Sequence, residues 1–224
     1  MAQFDDNEEM ATLTRWWSRN GTAAVVGIVL GLIIIGGWYG WNWYSDRQDT
    51  QAAHMFAEVQ HGISSGQLTG GVKNIVSKLE DDYSGTPYAG AAALSIAGYY
   101  VDQQQYDQAD THLDWAMHNA EGDGMRQIAT VRKARVLWAQ NKPKQALALL
   151  NQDHPAAFDS LYAELAGDIQ VAQGHRKAAH EAYKKAMAGL SQDAPQQMLQ
   201  HKIDQTAPVS ASNANPTDSK KSDS

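Results

Sequence analysis

The sequence predicts an all-α protein with an N-terminal transmembrane helix, a solenoid of repeated helix pairs and a disordered C-terminal tail. Three observations carry this reading. No Asp, Glu, Lys or Arg falls between Arg19 and Asp46, a gap of 26 residues. Beyond Asp46 the chain is polar, rich in Ala and Gln, and lacks the Val/Ile/Thr alternation that marks strands. Within that stretch, pairs of small residues recur at a separation of 12.

The gap defines the first long element. From Gly21 to Tyr44, 16 of 24 residues are Ala, Val, Ile, Leu, Trp or Tyr and 6 are Gly. As a helix this run spans about 36 Å, enough to cross a hydrocarbon core of about 30 Å with some tilt. Trp16 and Trp17 stand before it, and Trp38, Tyr39, Trp41, Trp43 and Tyr44 close it, where amphipathic rings favour the membrane–water interface. A buried core helix is normally shorter. A cleavable signal peptide has a shorter apolar region and a small-residue cleavage site, whereas this run closes on WNWYSD. The segment therefore reads as an uncleaved anchor in contact with the lipid bilayer. Arg15 and Arg19 precede it and only Arg47 follows closely, which places residues 1–20 in the cytoplasm. Gly27 with Gly31 and Gly36 with Gly40 form two GxxxG patterns, a candidate helix-packing face. Met10, Leu13 and Trp17 follow helical spacing and suggest a short interfacial helix leading into the anchor.

After the anchor, turn signals fall one helix apart. Gly62 to Gly66 ends one helix, Thr86-Pro87 opens another with an N-cap and an N1 proline, and Asn141 to Pro143, His154-Pro155, Gly174 and Pro195 mark further breaks. Ala97 and Ala109, Ala134 and Ala146, and Gly167 and Ala179 form the small-residue pairs, and their second members are spaced 37 and then 33. That period, near 34, matches the tetratricopeptide repeat, in which small side chains at these places let paired helices pack closely. The first unit fits well and adds Ile96, Tyr100, Tyr106, Leu113 and Ala116. The third adds Gly174, Tyr183 and Ala186, while the middle one has a short second helix that stops before Pro155. Helices near 47–62 and 69–81 open the stack, and one near 195–204 closes it. An irregular helical bundle with accidental alanine spacing is the competing architecture. First helices of stacked repeats line a curved groove. Val101, Asp102, Arg135, Trp138, Glu164, Asp168 and Val171 are candidates to face it, with Trp138 equally suited to the core. From Thr206 onward the chain has hardly any large apolar residue and reads as a disordered tail.

Composition narrows the function. A formal net charge of −7 without a basic surface argues against nucleic acid as a partner. The absence of Cys excludes thiolate catalysis, disulfides and Cys-ligated metal sites. Gly62 to Gly66 satisfies G-x-S-x-G, but that chemistry needs a strand-to-helix turn over a sheet, and here it reads as an interhelix loop. His180-Glu181 opens like H-E-x-x-H, but Lys184 stands where the second His belongs. His175, His180 and the acidic run Glu80 to Asp82 read as solvent-facing, as do the basic residues Arg176, Lys177, Lys184 and Lys185. No nucleophile, base and oxyanion donor assemble, so no catalytic residue, metal ligand or cofactor is expected. The protein reads as a non-enzymatic binding module.

The acidic N-terminus, the TRWWSRNGTAAVVGIVLGLIIIGGWYGWNWY span, AAHMFAEVQ, YAGAAALSIAGYYVDQQQYDQA, LYAELAGDIQVAQG and DAPQQMLQHKID together resemble the YfgM family, ancillary SecYEG translocon subunits of Gram-negative bacteria. The likeness runs to about Gln205. It departs in the middle unit, broken by Pro143 and Pro155, and in the added tail. The resemblance implies an inner-membrane protein with a periplasmic repeat domain, which with the readings above gives a cytoplasmic segment (1–20), a single transmembrane helix (21–44), a periplasmic repeat domain (45–205) and a tail (206–224). It also implies the SecYEG translocon, a membrane-anchored periplasmic prolyl-isomerase-like chaperone, and emerging periplasmic and outer-membrane clients as partners. An anchored repeat scaffold for envelope assembly or stress-response regulation is the alternative.

Overall fold

The computed structural model describes residues 6–66, 68–191 and 195–208, and all elements among them are helical. The expected disordered tail falls outside the described residues from 209 onward. The chain divides into two units, Met1–Gln51 and Ala52–Ser224.

The first unit is helical from Asp6 onward and belongs to α1 (Asp6–Ser64, 59 residues). The sequence predicts separate pieces here: an interfacial helix, an anchor and a helix starting near 47. One uninterrupted helix replaces them, because no proline or paired break falls between Tyr44 and Thr50, and local bonds close the turns there. Thr50 Oγ1 donates to the Asp46 carbonyl at 2.8 Å, Gln48 Nε2 donates to the Tyr44 hydroxyl at 2.7 Å, and the Arg47 guanidinium lies 4.0 Å from the centre of the Trp43 ring. Among the described residues, little packs against the apolar side chains of this unit. Leu32, Ile34 and Trp41 expose 64%, 70% and 75% of their surface. A helix within Gly21–Ser64 is long and apolar enough to cross a membrane, and none of its apolar stretch is buried.

The second unit begins with the end of α1. Gly66 adopts φ +68° and donates its N–H to the Ile63 carbonyl, a left-handed stop that glycine makes without steric cost. The segment matching G-x-S-x-G is thus the last turn of a helix and its cap. There follow α2 (Gly70–Asp82), α3 (Pro87–Asp102), α4 (Tyr106–Asn119), α5 (Asp123–Ala139), α6 (Pro143–Leu150), a 3-10 turn (Ala156–Phe158), α7 (Asp159–Ala172), α8 (Arg176–Ala188) and α9 (Gln197–Thr206). Successive helices from α2 to α9 pack on one another, and α3 also touches α5, as α5 touches α7. This is the connectivity of an α-solenoid.

The repeat is written into the backbone as well as the side chains. Between α3 and α4, α5 and α6, and α7 and α8 the chain makes the same turn, with Gln104 at φ 57°, Asn141 at 60° and Gly174 at 77°. In each turn the next residue's N–H reaches five residues back: Gln105 to Tyr100, Lys142 to Leu137 and His175 to Gln170, at 2.8 to 2.9 Å. Ala97, Ala109, Ala134, Ala146, Gly167 and Ala179 are all buried. The middle unit is the irregular one, since α6 has 8 residues against 14 in α4 and 13 in α8. After it the His154 ring stacks on Tyr162 with centroids 4.0 Å apart, and Phe158 packs against the same core.

Thr86 departs from expectation. It precedes Pro87 as predicted, but its hydroxyl donates to the Tyr83 carbonyl at 2.8 Å and caps no N–H of α3. Proline at the first position leaves one fewer donor to cap.

Three hydrophobic clusters run along the stack. The first gathers Ala52, Val59, Val76, Leu79, Ile96, Leu113 and their neighbours. The second centres on Leu137, Leu150, Leu165 and Ile169, and the third on Ala163, Ala179, Tyr183 and Leu199.

Candidate interaction groove

Of the first helices expected to line a groove, α3 packs on α5 and α5 on α7. Asp102 ends α3 and Arg135 lies one turn from the end of α5, and the structure brings them together. Both line a cleft of about 380 Å³ between the two helices, with Gly98 and Val101 on one wall, Arg132 and Ala139 on the other, and Leu113 of α4 beneath. Arg132 is tied down, its Nη1 donating to the Leu94 carbonyl at 3.2 Å. The side chains of Asp102 and Arg135 have no hydrogen-bond or ion-pair partner among the described residues. Trp138, half-buried, packs against the second core cluster, so most of its ring serves that core.

Glu164 and Asp168 on α7 form a separate group. Lys202 of α9 donates from Nζ to Glu164 Oε1 and to Asp168 Oδ1, each at 2.7 Å. The Tyr183 hydroxyl donates to the same Asp168 oxygen at 2.8 Å. Burial drives the Tyr183 phenol above its ordinary value, helped by the hydrogen bond to Asp168 and by the negative charge of Asp168 and Glu164. For Lys202, burial lowers the ammonium pKa, but hydrogen bonds and charge from Asp168 and Glu164 outweigh that and raise it. The lysine that organises this cluster is one that sequence spacing did not single out. Nothing in the α9 sequence indicates where Lys202 reaches, because the contact spans 38 residues to Glu164. Val171, exposed, lines a neighbouring cavity of about 520 Å³ that also holds Arg176, Tyr183 and Lys202.

Gly27, Gly31, Gly36 and Gly40 all lie in α1, and a Cβ at any of them would meet nothing within 4 Å. Nine residues separate Gly27 from Gly36, so at about 100° per residue the two pairs point to opposite sides of the helix. They make two small patches on opposite sides of the helix.

Two charge assignments need correction. Glu80 faces inward: its Oε1 lies 2.7 Å from His112 Nδ1, and only 12% of its side chain is exposed. His180 is half-buried, with Nδ1 3.2 Å from the Ile203 carbonyl, because α9 covers it. His175, Arg176, Lys177, Lys184 and Lys185 are exposed as expected. Ser64 Oγ donates to the His61 carbonyl in a helical turn. Among the described residues no group of three or more His, Asp or Glu could hold a metal.

Paired helices, repeated turns and a cleft between first helices define an α-solenoid repeat protein with an apolar N-terminal helix. Its family follows from comparison with known proteins. The chain belongs to the tetratricopeptide repeat-like domain family, whose model matches residues 14–207. An ancillary SecYEG translocon subunit of Haemophilus influenzae is 29% identical over 201 residues, covering 89% of this chain and 97% of that protein. Proteins of the same name from Neisseria gonorrhoeae and Escherichia coli K12 are 28% and 22% identical, covering 91% and 89% of this chain and 98% and 95% of theirs. No solved structure matches the chain.

Proposed function

We propose that this protein is an ancillary subunit of the SecYEG translocon, a non-enzymatic scaffold anchored in the inner membrane. The supporting observation is that relatives bearing that name align with about nine-tenths of the chain, and that the repeat-like family model spans residues 14–207, the apolar helix included. Residues 21–44 cross the membrane, residues 1–20 stay in the cytoplasm, and the repeat domain of 45–205 stands in the periplasm. The Gly27/Gly31 and Gly36/Gly40 patches admit close approach of partner helices in lipid, where small residues let backbones pack tightly. The groove formed by α3, α5 and α7 holds a membrane-anchored, prolyl-isomerase-like chaperone or an emerging client beside the channel exit.

Photo-cross-linkers placed at Gly31 and at Trp138 in native membranes test this reading. Translocon subunits are expected from Gly31, and chaperone or client chains from Trp138. Recovery of unrelated proteins at both positions rejects it. Topology has its own test: protease added to spheroplasts digests the repeat domain if it is periplasmic and spares it if it is not.

A further inference from the structure

The cleft between α3 and α5 carries three features that the solenoid itself does not need. The first is Gly98. A glycine inside a helix costs about 1 kcal/mol relative to alanine, so its presence calls for a reason. Other glycines of this unit have one. A Cβ on Gly90 would come within 2.8 Å of Met125 and 2.9 Å of Ala120, and one on Gly167 would enter the Tyr183 ring. A Cβ on Gly98 would meet nothing within 4 Å, and its φ is not in the left-handed region. Its missing side chain relieves no contact and permits no turn. What it does is leave one wall of the cleft bare.

The second feature is the lining. Val101, Ala139 and Leu113 give the cleft an apolar interior, and its volume of about 380 Å³ suits a large side chain better than a packed element. It is at the small end of ligand sites, which run from about 300 to 1,000 Å³.

The third is charge. Of the seven residues that repeat spacing assigns to the groove, Val101 and Val171 are apolar, Glu164 and Asp168 share Lys202 as their ion-pair partner, and Trp138 serves the core. Only Asp102 and Arg135 remain with unpaired side chains, and both stand at this cleft. Arg132 joins them, with one guanidinium N–H committed to Leu94 and the rest free to bond outward. Two guanidiniums against one carboxylate make the rim net basic in a protein of net charge −7. Such a rim selects an acidic group.

We propose that this cleft binds an extended segment of a partner polypeptide in which an aliphatic side chain is adjacent to a carboxylate. The aliphatic group enters over Gly98 and Leu113, the carboxylate meets Arg135, and Asp102 accepts an N–H from the segment's backbone. The proposal rests on the scaffold reading and gives its groove a ligand chemistry.

Full-length protein in nanodiscs, titrated with the fluorescein-labelled peptide Gly-Ser-Leu-Glu-Ile-Ser-Gly and its versions with Gln or Lys in place of Glu, tests it. At about 50 mM salt the Glu peptide should bind two- to fivefold more tightly than the Gln peptide, the range expected of a partly exposed ion pair. Arg135→Glu should reverse the order of the Glu and Lys peptides, which a purely structural role would not do. Gly98→Leu should abolish binding of all three while leaving the melting temperature equal or higher, because the position has room and leucine favours the helix. Equal affinity for all three peptides, preference for Lys, or unchanged binding by Gly98→Leu overturns the proposal. So does a large gain in affinity on removing residues 209–224, which would make the protein's own tail the occupant. Cross-linking to translocon subunits from Gly31 is read in the same membranes. If it persists while peptide binding fails, the inference falls and the scaffold reading stands; if it fails while binding holds, the reverse.

Discussion

Gly167 of α7 lies directly beneath the ring of Tyr183 of α8, so close that a Cβ would fall within 3.0 Å of three ring atoms. The reason is visible along the repeat. Tyr183 stands four residues after Ala179, at the place taken by Leu113 after Ala109 and Leu150 after Ala146. Where the second helix carries a larger ring, the first helix gives up its methyl group.

Gly167→Ala should therefore destabilise the protein by about 1–3 kcal/mol, the usual cost of overpacking a core, despite alanine's better helix propensity. Tyr183→Leu added to it should recover part of the loss. Urea unfolding of the single and double variants measures the coupling, and simple additivity would reject the interlock.

The turn at Gln104 holds a side chain in the left-handed region that Gly174 occupies freely in the third unit. Gln104→Gly should stabilise by about 0.5–1 kcal/mol, since relief of the left-handed penalty exceeds the entropy glycine adds to the unfolded chain. Gly174→Val should do the opposite. Thermal melting checks both.

Lys202 and Tyr183 give the last repeat an alkaline sensitivity. The ammonium's pKa is higher in the folded state than its ordinary 10.5, so its contribution is complete below that value and is lost as pH rises through the folded one. The phenol is also raised above 10.0, so the unfolded chain ionises first and stability falls again as pH passes 10.0. Both slopes have the same sign. Urea midpoints should stay level from neutral pH to about 9 and then drop more steeply in the wild type than in Lys202→Met/Tyr183→Phe. That variant should be less stable at neutral pH by about 1–2 kcal/mol, since Glu164 and Asp168 lose their shared donor.

If α1 crosses a bilayer, Leu32→Arg with Ile33→Arg should impair its insertion, each arginine costing about 2.5–3.5 kcal/mol near mid-membrane. Carbonate extraction reads the result: the wild type stays in the pellet and the variant moves to the supernatant.

The repeat was legible because its signature is local. Small residues twelve apart and turn residues one helix apart survive in sequence even where Gln104 and Asn141 replace the glycine that a left-handed turn favours. The continuous α1 was not, because helix-stop reasoning expects a boundary where polarity changes, and Ser45 to Gln48 alters polarity without breaking hydrogen bonds. The groove was half legible. Spacing placed Asp102 and Arg135 on one surface, but it could not tell that Glu164 and Asp168 meet Lys202, a partner from another helix far along the chain. His112 and Glu80 were missed for the same reason, with 32 residues between them.

The three core clusters share walls without merging. Ala129 and Val136 of α5 belong to the first cluster while Val131, Ala134 and Leu137 belong to the second, and α7 divides likewise, with Ala163 in the third and Leu165 and Ile169 in the second. Cohesion passes only between adjacent pairs, so the stack has no central keystone. Unfolding from its C-terminal end, such a stack loosens pair by pair, α9 first and then α8 together with α7, while the helices before them keep their own clusters. A repeat domain made this way can lose its last pair and keep the fold of the pairs before it.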